Sequence, residues 1–370
     1  MKISLGFKVK KPILALGSHA KNTVAFCDGQ TVSLSPALRD LDGPEEFTVF
    51  IKTVRRFLRK KPAIIAYDAH PQYRSGKYAL EHLLKEGSLL AVQHHHAHIA
   101  SCMAENGLAN QKVIGVAFDG TGLGVDNTLW GAEFLVCDYR RFRRIGHLRP
   151  IPLLGAEQAI RQPWRLALMW LFLAYGERMW SLKSAFIKEA DRKKWAVLRR
   201  MHSAGFNCPL SSSMGRLFDA VAALVLRRQE ARFEGELAVQ LEKLARESSG
   251  KSKSYHFGII RGRQGYILDP LPIFKEIMLD LNRRQPPEDI AYSFHLTVAE
   301  MIKRMLLKIR NQSRLNKAVF SGGVFQNRLL CSLASGFLVA QGFKVMMHRN
   351  LSCNDSSLSL GQIAVASHRH

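Results

Sequence analysis

Acidic residues are scarce in this chain. Among 370 residues, 30 Asp and Glu face 54 Lys and Arg, for a formal net charge of +24. Such a field attracts nucleic acid or an acidic protein in a salt-dependent way. Long apolar runs are also missing. The run Leu166-Ala167-Leu168-Met169-Trp170-Leu171-Phe172-Leu173-Ala174-Tyr175 falls well short of the ~20 residues a spanning helix needs, so it reads as a buried helix and no membrane partner is expected. The N-terminal segment lacks the apolar region and small-residue cleavage site of a secretory signal, which makes a cytoplasmic location the expectation. There is no Cys-x-x-Cys pair. Cys27, Cys102, Cys137, Cys208, Cys331 and Cys353 are scattered, which excludes a disulfide framework and reads as reduced thiols, mostly in the core. Walker and dinucleotide fingerprints, zinc fingers, helix-turn-helix patterns and a Ser/His/Asp arrangement are absent as well. No catalytic residue is therefore assigned.

What is present is a globular composition, 47% apolar, in a chain long enough for two or three structural units. Strand patterns are expected over residues 13–16, 23–27 and 31–34, the last two joined by the turn Asp28-Gly29-Gln30. A helix over 44–59 and a strand over 63–67 follow. A second series starts with a strand over 112–118, a glycine turn, and strands over 131–137 and 145–148. Residues 156–245 read as largely helical, residues 246–252 as a polar loop, and 291–309 as a helix before a final strand. Two related α/β lobes, 1–110 and 111–370, are the expectation, with the helical insertion at about 156–245 in the second. Cations gather at Lys52, Arg55, Arg56, Arg59, Lys60 and Lys61, at Arg140, Arg141, Arg143 and Arg144, and at Arg192, Lys193, Lys194, Arg199 and Arg200.

Chemistry concentrates in a few motifs. Gln93-His94-His95-His96-Ala97-His98 opens a helical stretch, so His94 and His98 stack one turn apart on one face, the spacing a divalent metal asks of a single element. Asp119, after the apolar run 113–118, and Asp355, in Asn354-Asp355-Ser356-Ser357, could complete the site. Two imidazoles and two carboxylates suit iron, zinc or manganese better than calcium. Alone, the pair fits a solvated histidine cluster too. Asp119-Gly120-Thr121-Gly122-Leu123-Gly124 and Ser321-Gly322-Gly323-Val324 each follow a strand, where glycine amides can point at a phosphate. Each fits an ordinary strand-end turn equally well. Cys353, two residues before Asp355, reads as a packing residue.

With these residues in view the chain resembles the C-terminal half of HypF-type hydrogenase-maturation carbamoyltransferases, which is similar to the tRNA threonylcarbamoyl transferase family. The resemblance rests on Asp68-Ala69-His70-Pro71-Gln72-Tyr73, the His94–His98 segment, Phe118-Asp119-Gly120-Thr121-Gly122, Gln162-Pro163-Trp164-Arg165, Ser213-Met214-Gly215-Arg216-Leu217-Phe218-Asp219-Ala220-Val221-Ala222, Phe233-Glu234-Gly235-Glu236, and Phe320-Ser321-Gly322-Gly323-Val324-Phe325-Gln326-Asn327-Arg328. It implies an α/β, two-lobed, actin-like and sugar-kinase-like (ASKHA) fold with duplicated ribonuclease H-like cores and helical insertions. It implies His94, His98, Asp119 and Asp355 as ligands of a divalent metal, iron or zinc, with magnesium a further candidate. Gly120, Thr121, Gly322 and Gly323 would line the phosphate of ATP or carbamoyl-adenylate, and Asp219, Glu236 and Asn327 would hold its ribose and adenine.

The activity so implied is metal-dependent transfer of a carbamoyl group from carbamoyl-adenylate to a cysteine thiolate of a HypE-like acceptor protein. The family's acylphosphatase-like, zinc-finger and carbamate-adenylating domains have no counterpart in these residues, so a separate carbamoyl-adenylate-forming protein is expected. The family's Asn-Asp-Gly-Gly is here Asn354-Asp355-Ser356-Ser357. Either the serine side chains crowd the phosphate, or they serve as hydroxyl donors or caps for the following helix. Two alternatives stand beside this reading: a tRNA threonylcarbamoyl-type transferase, favoured by charge, and a catalytically weak nucleotide-binding scaffold.

Overall fold

The computed structural model describes residues 1–250 and 252–369. Lys251, in the expected polar loop, and His370, at the end of the expected second lobe, lie outside the described residues. The chain opens with β1 (Lys2–Ala15) and β2 (Ala25–Leu34), an antiparallel pair. Helix α1 (Pro44–Leu58) follows, with Pro44 in its first turn, Glu45 and Glu46 at its positive end and Arg55 and Arg56 at its negative end. It buries Phe50, Val54 and Phe57, one stripe at helical spacing. Then come β3 (Ile64–Asp68), α2 (Arg74–His82), β4 (Ser88–Val92) and α3 (His94–Glu105). The sheet order is β2-β1-β3-β4, with β3 parallel to both of its neighbours.

The second sheet repeats the plan. Strand β5 (Val113–Leu123) is antiparallel to β6 (Leu129–Cys137), which pairs antiparallel with β7 (Phe142–Leu148). An insertion follows, containing α4 (Trp164–Tyr175), α5 (Arg192–Ser203), α6 (Met214–Leu226), α7 (Glu236–Ala245), the hairpin β8 (Gly258–Gly262) and β9 (Gly265–Asp269), and α8 (Leu271–Asn282). Helix α9 (Pro287–Ser313) leads to β10 (Lys317–Ser321), then α10 (Arg328–Ala340), β11 (Lys344–Met346) and α11 (Leu358–Arg369). Strands β10 and β11 run parallel to β5, as β3 and β4 run parallel to β1. This duplication of an antiparallel start and a parallel, helix-connected finish is the two-lobed ASKHA-type fold.

Two expectations are corrected. The strands expected over 23–27 and 31–34 are one strand, because Gly29, at φ +79, makes an irregularity within the β1–β2 ladder and not a chain reversal. The glycine turn expected after residue 118 is also inside a strand. Phe118 pairs with Ala132 and Gly122 with Trp130, so Asp119, Gly120 and Thr121 form a bulge in β5, and the reversal comes at residues 124–128.

The two sheets share one layer of helices. From His94 to Ala104, α3 is buried on all sides, and α11 is buried from Leu358 to Ala366. They pack against each other between the sheets, in a core that joins Ile13, Ala25 and Ile64 of the first sheet to Val113, Leu135 and Val319 of the second. Although the expected lobe boundary assigns α11 to the second lobe, the helix lies on β1, β2, β3 and β4. Gln362 ties it there, accepting the Gly17 N–H (2.8 Å) and donating to the Gly17 carbonyl (3.0 Å). A Cβ on Gly361 would sit 1.9 Å from the Ala97 carbonyl oxygen of α3. Gly361→Ala should therefore cost about 1–3 kcal/mol, the range for overpacking. Gly336→Ala, on α10 where an added Cβ meets nothing within 4 Å, should be neutral or stabilising by up to about 1 kcal/mol. Chemical denaturation of both checks this, and equal midpoints would show that α3 and α11 separate without cost.

Candidate metal centre and adjoining cleft

The C-terminal ends of β3 and β10, the bulge in β5 and the first turn of α3 meet at one place. Gln93 caps α3, its side-chain oxygen accepting the His96 N–H at 2.8 Å, and so starts the helix with His94 at its first position. His94 Nε2 and His98 Nε2 each lie 3.2 Å from Asp119 Oδ2. Asp355 Oδ1 is 3.8 Å from the first and 3.5 Å from the second. One donor atom from each of the four residues falls within 4.8 Å of the others. These residues form a cluster able to coordinate a divalent metal.

The atoms behind this cluster decide which donors face it. His94 Nδ1 is 2.7 Å from Asp68 Oδ2, and His98 Nδ1 is 3.3 Å from Ser321 Oγ. Asp119 Oδ1 accepts the N–H groups of Gly120 (2.9 Å) and Gly323 (3.0 Å). Each of these three residues thus has one polar atom engaged outward and one turned inward, as a metal requires of its ligands. Burial opposes charge on His94, but Asp68, Asp355 and the hydrogen bonds to Asp119 and Asp68 outweigh it and hold its pKa well above the ordinary imidazole value. His98 is raised despite burial by hydrogen bonds to Asp119 and Asp355. Asp119, against the opposing effect of burial, is held well below the carboxylate range by the same two histidines. A metal entering here displaces protons, so its affinity should rise with pH. The other two histidines point elsewhere, although they are buried and not solvated: burial lowers both, His95 well below the ordinary value and His96 to about 4.

Asp119 and Asp355 also form one end of a cleft that continues past Gly120, Thr121 and Gly323 to Asp219 and Asn327. Arg216, Tyr73, Lys21 and Glu234 line it as well, and none of these was assigned a role from sequence. Arg216 and Asp219 are both buried, with Nε to Oδ2 at 3.0 Å, an ion pair whose angles do not make a hydrogen bond. Arg216 Nη2 reaches Glu234 Oε1 at 3.0 Å, and Nη1 has no partner. Burial, aided by Glu234 and opposed by Arg216, pushes the Asp219 carboxyl up to about 6.

Three expected site residues are committed to other contacts. Gly322, at φ +106 and with its N–H on the Cys353 carbonyl, makes the turn after β10 and does not line the cleft. Glu236 turns away into bonds with Arg232 and Gln240, and Glu234 faces the cleft in its place. Asn327 borders the cleft, yet its side chain caps α10 through the Leu330 N–H (2.8 Å) and meets His295 Nε2 at 2.8 Å. The amides of Gly120 and Gly323, expected to face a phosphate, are those that hold Asp119. Ser356 and Ser357 do not crowd the cleft either. Both turn back on Asn354: its Oδ1 accepts the Ser356 N–H (3.1 Å) and hydroxyl (2.8 Å), and its carbonyl accepts the Ser357 hydroxyl (3.1 Å).

The cysteines are all free. Cys27, Cys102 and Cys137 are buried, and the other three are half-buried. Burial pushes the Cys353 thiol up to about 12. In the basic clusters, Arg144 is drawn inward to Glu133 and over Trp130 at 4.1 Å, and Arg199 pairs with Glu177 at 2.7 Å. Among the described residues no helix is long and apolar enough to cross a membrane.

Residues 8–105 match the family model described as HypF Kae1-like domain, and residues 115–362 the one described as Carbamoyltransferase, Kae1-like Domain, second subdomain. Carbamoyltransferase HypF2 of Cupriavidus necator is 34% identical over 96% of this chain and 46% of its own length. A carbamoyltransferase HypF homolog of the same organism is 34% identical over 96% of this chain and 91% of its own. The crystal structure of a full-length HypF in a phosphate- and nucleotide-bound form superposes with a TM-score of 0.92, at 38% identity, covering 100% of this chain and 57% of that one. The chain spans about half the length of the full-length curated relatives it matches.

The geometry makes two outcomes testable. His94→Ala and His98→Ala should each abolish binding of a divalent metal, while His95→Ala and His96→Ala retain it. Metal analysis of the four purified variants decides, and equal loss in all four would dissolve the assignment. Replacing Ser356 and Ser357 together by Gly should leave metal content unchanged and cost about 1 kcal/mol through the lost hydroxyl bonds to Asn354 and added chain freedom. Thermal denaturation and metal analysis check this pair. A lower metal content would mean that the serines support Asp355 more directly than their bonds to Asn354 indicate.

Proposed function

This chain belongs to the HypF carbamoyltransferase family, as its Kae1-like part, and on that premise we propose that it moves a carbamoyl group from carbamoyl-adenylate to a protein cysteine thiolate during hydrogenase maturation. The observation that carries the reading is the continuity of the cluster with the cleft: Asp119 and Asp355 belong to both. A nucleotide lying in the cleft therefore has its phosphate end beside the cluster. A divalent metal there, iron or zinc by its imidazole and carboxylate donors, supplies a Lewis acid for phosphate or carbonyl oxygen.

The chain's own residues supply the rest. Arg216, buried and with Nη1 unpartnered, offers a cation to the adenylate, since a buried guanidinium N–H without an acceptor is free to meet an anionic ligand. Asp219 offers carboxylate oxygens to ribose hydroxyls. Asn327 contributes to the cleft wall mainly by fixing the start of α10. In the transfer, the thiolate sulfur attacks the carbamoyl carbon, the bond from that carbon to the phosphate oxygen breaks, and AMP leaves with the electron pair. No proton has to move, in keeping with the absence of a Ser/His/Asp arrangement. By family likeness the acceptor is a HypE-like protein, and the carbamoyl-adenylate comes from a separate protein or domain. The net charge of +24 keeps an RNA acceptor as the competing reading.

Carbamoyl-adenylate and a HypE-like protein, incubated with the metal-loaded chain, should yield a carbamoylated cysteine detectable by mass spectrometry. Its absence, or carbamoyl transfer to RNA instead, would overturn the proposal. Nucleotide affinity, measured by calorimetry, should weaken as pH falls through about 6, because protonation removes an acceptor from Asp219. Asp219→Asn should lower affinity by roughly 1–3 kcal/mol and remove that pH dependence.

A further inference from the structure

Behind His98 runs a chain of polar side chains that the proposed transfer does not use. His98 and Glu105 lie seven residues apart on α3, two turns along one face. Glu105 Oε1 accepts three backbone N–H groups, from Arg349 (3.2 Å), Asn350 (2.6 Å) and Leu351 (2.9 Å). Its Oε2 lies 2.6 Å from His348 Nδ1. His348 Nε2 lies 3.0 Å from Ser321 Oγ, which is 3.3 Å from His98 Nδ1. The side chains of Glu105 and His348 are only 2% and 3% exposed, and Ser321 and His98 are fully buried. The series therefore runs Glu105, His348, Ser321, His98.

Its hydrogen bonds have a direction. Burial would raise the Glu105 carboxyl, but the bond from His348 and the Asn350 and Leu351 amides hold it down at about 2, so it is a carboxylate that only accepts. His348 must then donate from Nδ1, and when its ring carries only that proton Nε2 accepts. Ser321 places its single proton on that nitrogen and is left with lone pairs toward His98. His98 donates from Nδ1, so the proton it gives up to a metal is the one on Nε2, which faces Asp119 and Asp355. His94 receives the same instruction in one step from Asp68 at 2.7 Å.

We propose that Ser321, His348 and Glu105 are positioning residues that keep the proton of His98 on Nδ1 and so present Nε2 as a metal ligand. This rests on the metal reading above. The relay brings no charge next to His98, whereas a direct carboxylate, like Asp68 at His94, would add a further negative group to a site already holding Asp119 and Asp355. Ligand-orienting partners of this kind typically govern metal affinity by 10–100-fold.

The test uses the full chain loaded with Co²⁺, with affinity measured by chelator competition and coordination by the visible absorption of bound cobalt. Ser321→Ala, His348→Phe and Glu105→Gln should each weaken affinity by about 10–100-fold and alter the cobalt spectrum. Asn106→Ala is the control. It removes the bond from Asn106 to the Met347 carbonyl (3.0 Å), loosening the segment that carries His348 without touching the relay, and should bind as the parent does. Parent-like affinity and spectrum in the relay variants would overturn the proposal, as would an equal loss in Asn106→Ala. If Ser321→Ala fails to fold, Glu105→Gln, at the far end of the relay, carries the decision. Failure of the parent to bind Co²⁺, or binding indifferent to His94→Ala, would instead remove the metal reading and this inference with it.

Discussion

The contact of α3 with α11 is the constraint on which the rest of the molecule depends. A helix bearing four imidazoles in its first five residues is a poor candidate for complete burial, since each ring carries two polar nitrogens. It is buried because α11 approaches to backbone distance at Gly361 and Ala97, excluding water while leaving the His94–His98 face free to meet Asp119. The two sheets contribute their inner faces to this pair of helices, so one layer joins them in a single core. The polar cost is met locally, with ring nitrogens of His94, His96 and His98 on Asp68, the Asp138 carbonyl and Ser321. His95 Nε2 and His96 Nδ1 remain buried without a partner, a residual cost of keeping the segment inside.

Charge at the site is arranged in the same economical way. Three carboxylates, Asp68, Asp119 and Asp355, approach the imidazole pair, and Asp119 is steadied by two backbone amides that bring no mobile charge. The bulge in β5 is what allows this. It lifts Asp119 and Gly120 out of the regular ladder, so that the Gly120 N–H can hold one Asp119 oxygen while the other faces the histidines. Gly122 completes the fit, since a side chain there would run into the His94 and His95 rings at 2.6–2.8 Å.

Local features were legible in the sequence, and features that depend on distant partners were not. The helix over His94–Glu105 and the facing of His94 and His98 follow from spacing alone. Asp119 could be suggested because it follows an apolar run and Asp355 because it precedes a helix, but only the parallel pairing of β5 with β10, together with the bond from the Gly322 N–H after β10 to the Cys353 carbonyl, brings the two residues to one place. Glycine-rich turns looked suited to phosphate, and nothing local reveals that the Gly120 and Gly323 amides are taken by Asp119, 204 positions away for Gly323. Glu236 is the residue expected at the nucleoside, but Glu234, on the other side of the left-handed Gly235, is the one that lines the cleft, while Glu236 bonds Arg232 and Gln240. Ser356 and Ser357 could be read as crowding the phosphate or as donors or caps, and in the structure both hydroxyls donate to Asn354, which is itself the cap.

The position of α11 also sets the order in which the protein can be completed. The face of the first sheet that this helix covers stays exposed until residues 358–366 are available, and Gly17 meets Gln362 across 345 positions of sequence. Contacts of that separation form late, because loop closure must be met before they return any stabilisation. Asp355 arrives with the same segment. A nascent chain that already displays its histidines thus lacks both the cover for its apolar face and the last of the four residues of the cluster, and both come with the same segment.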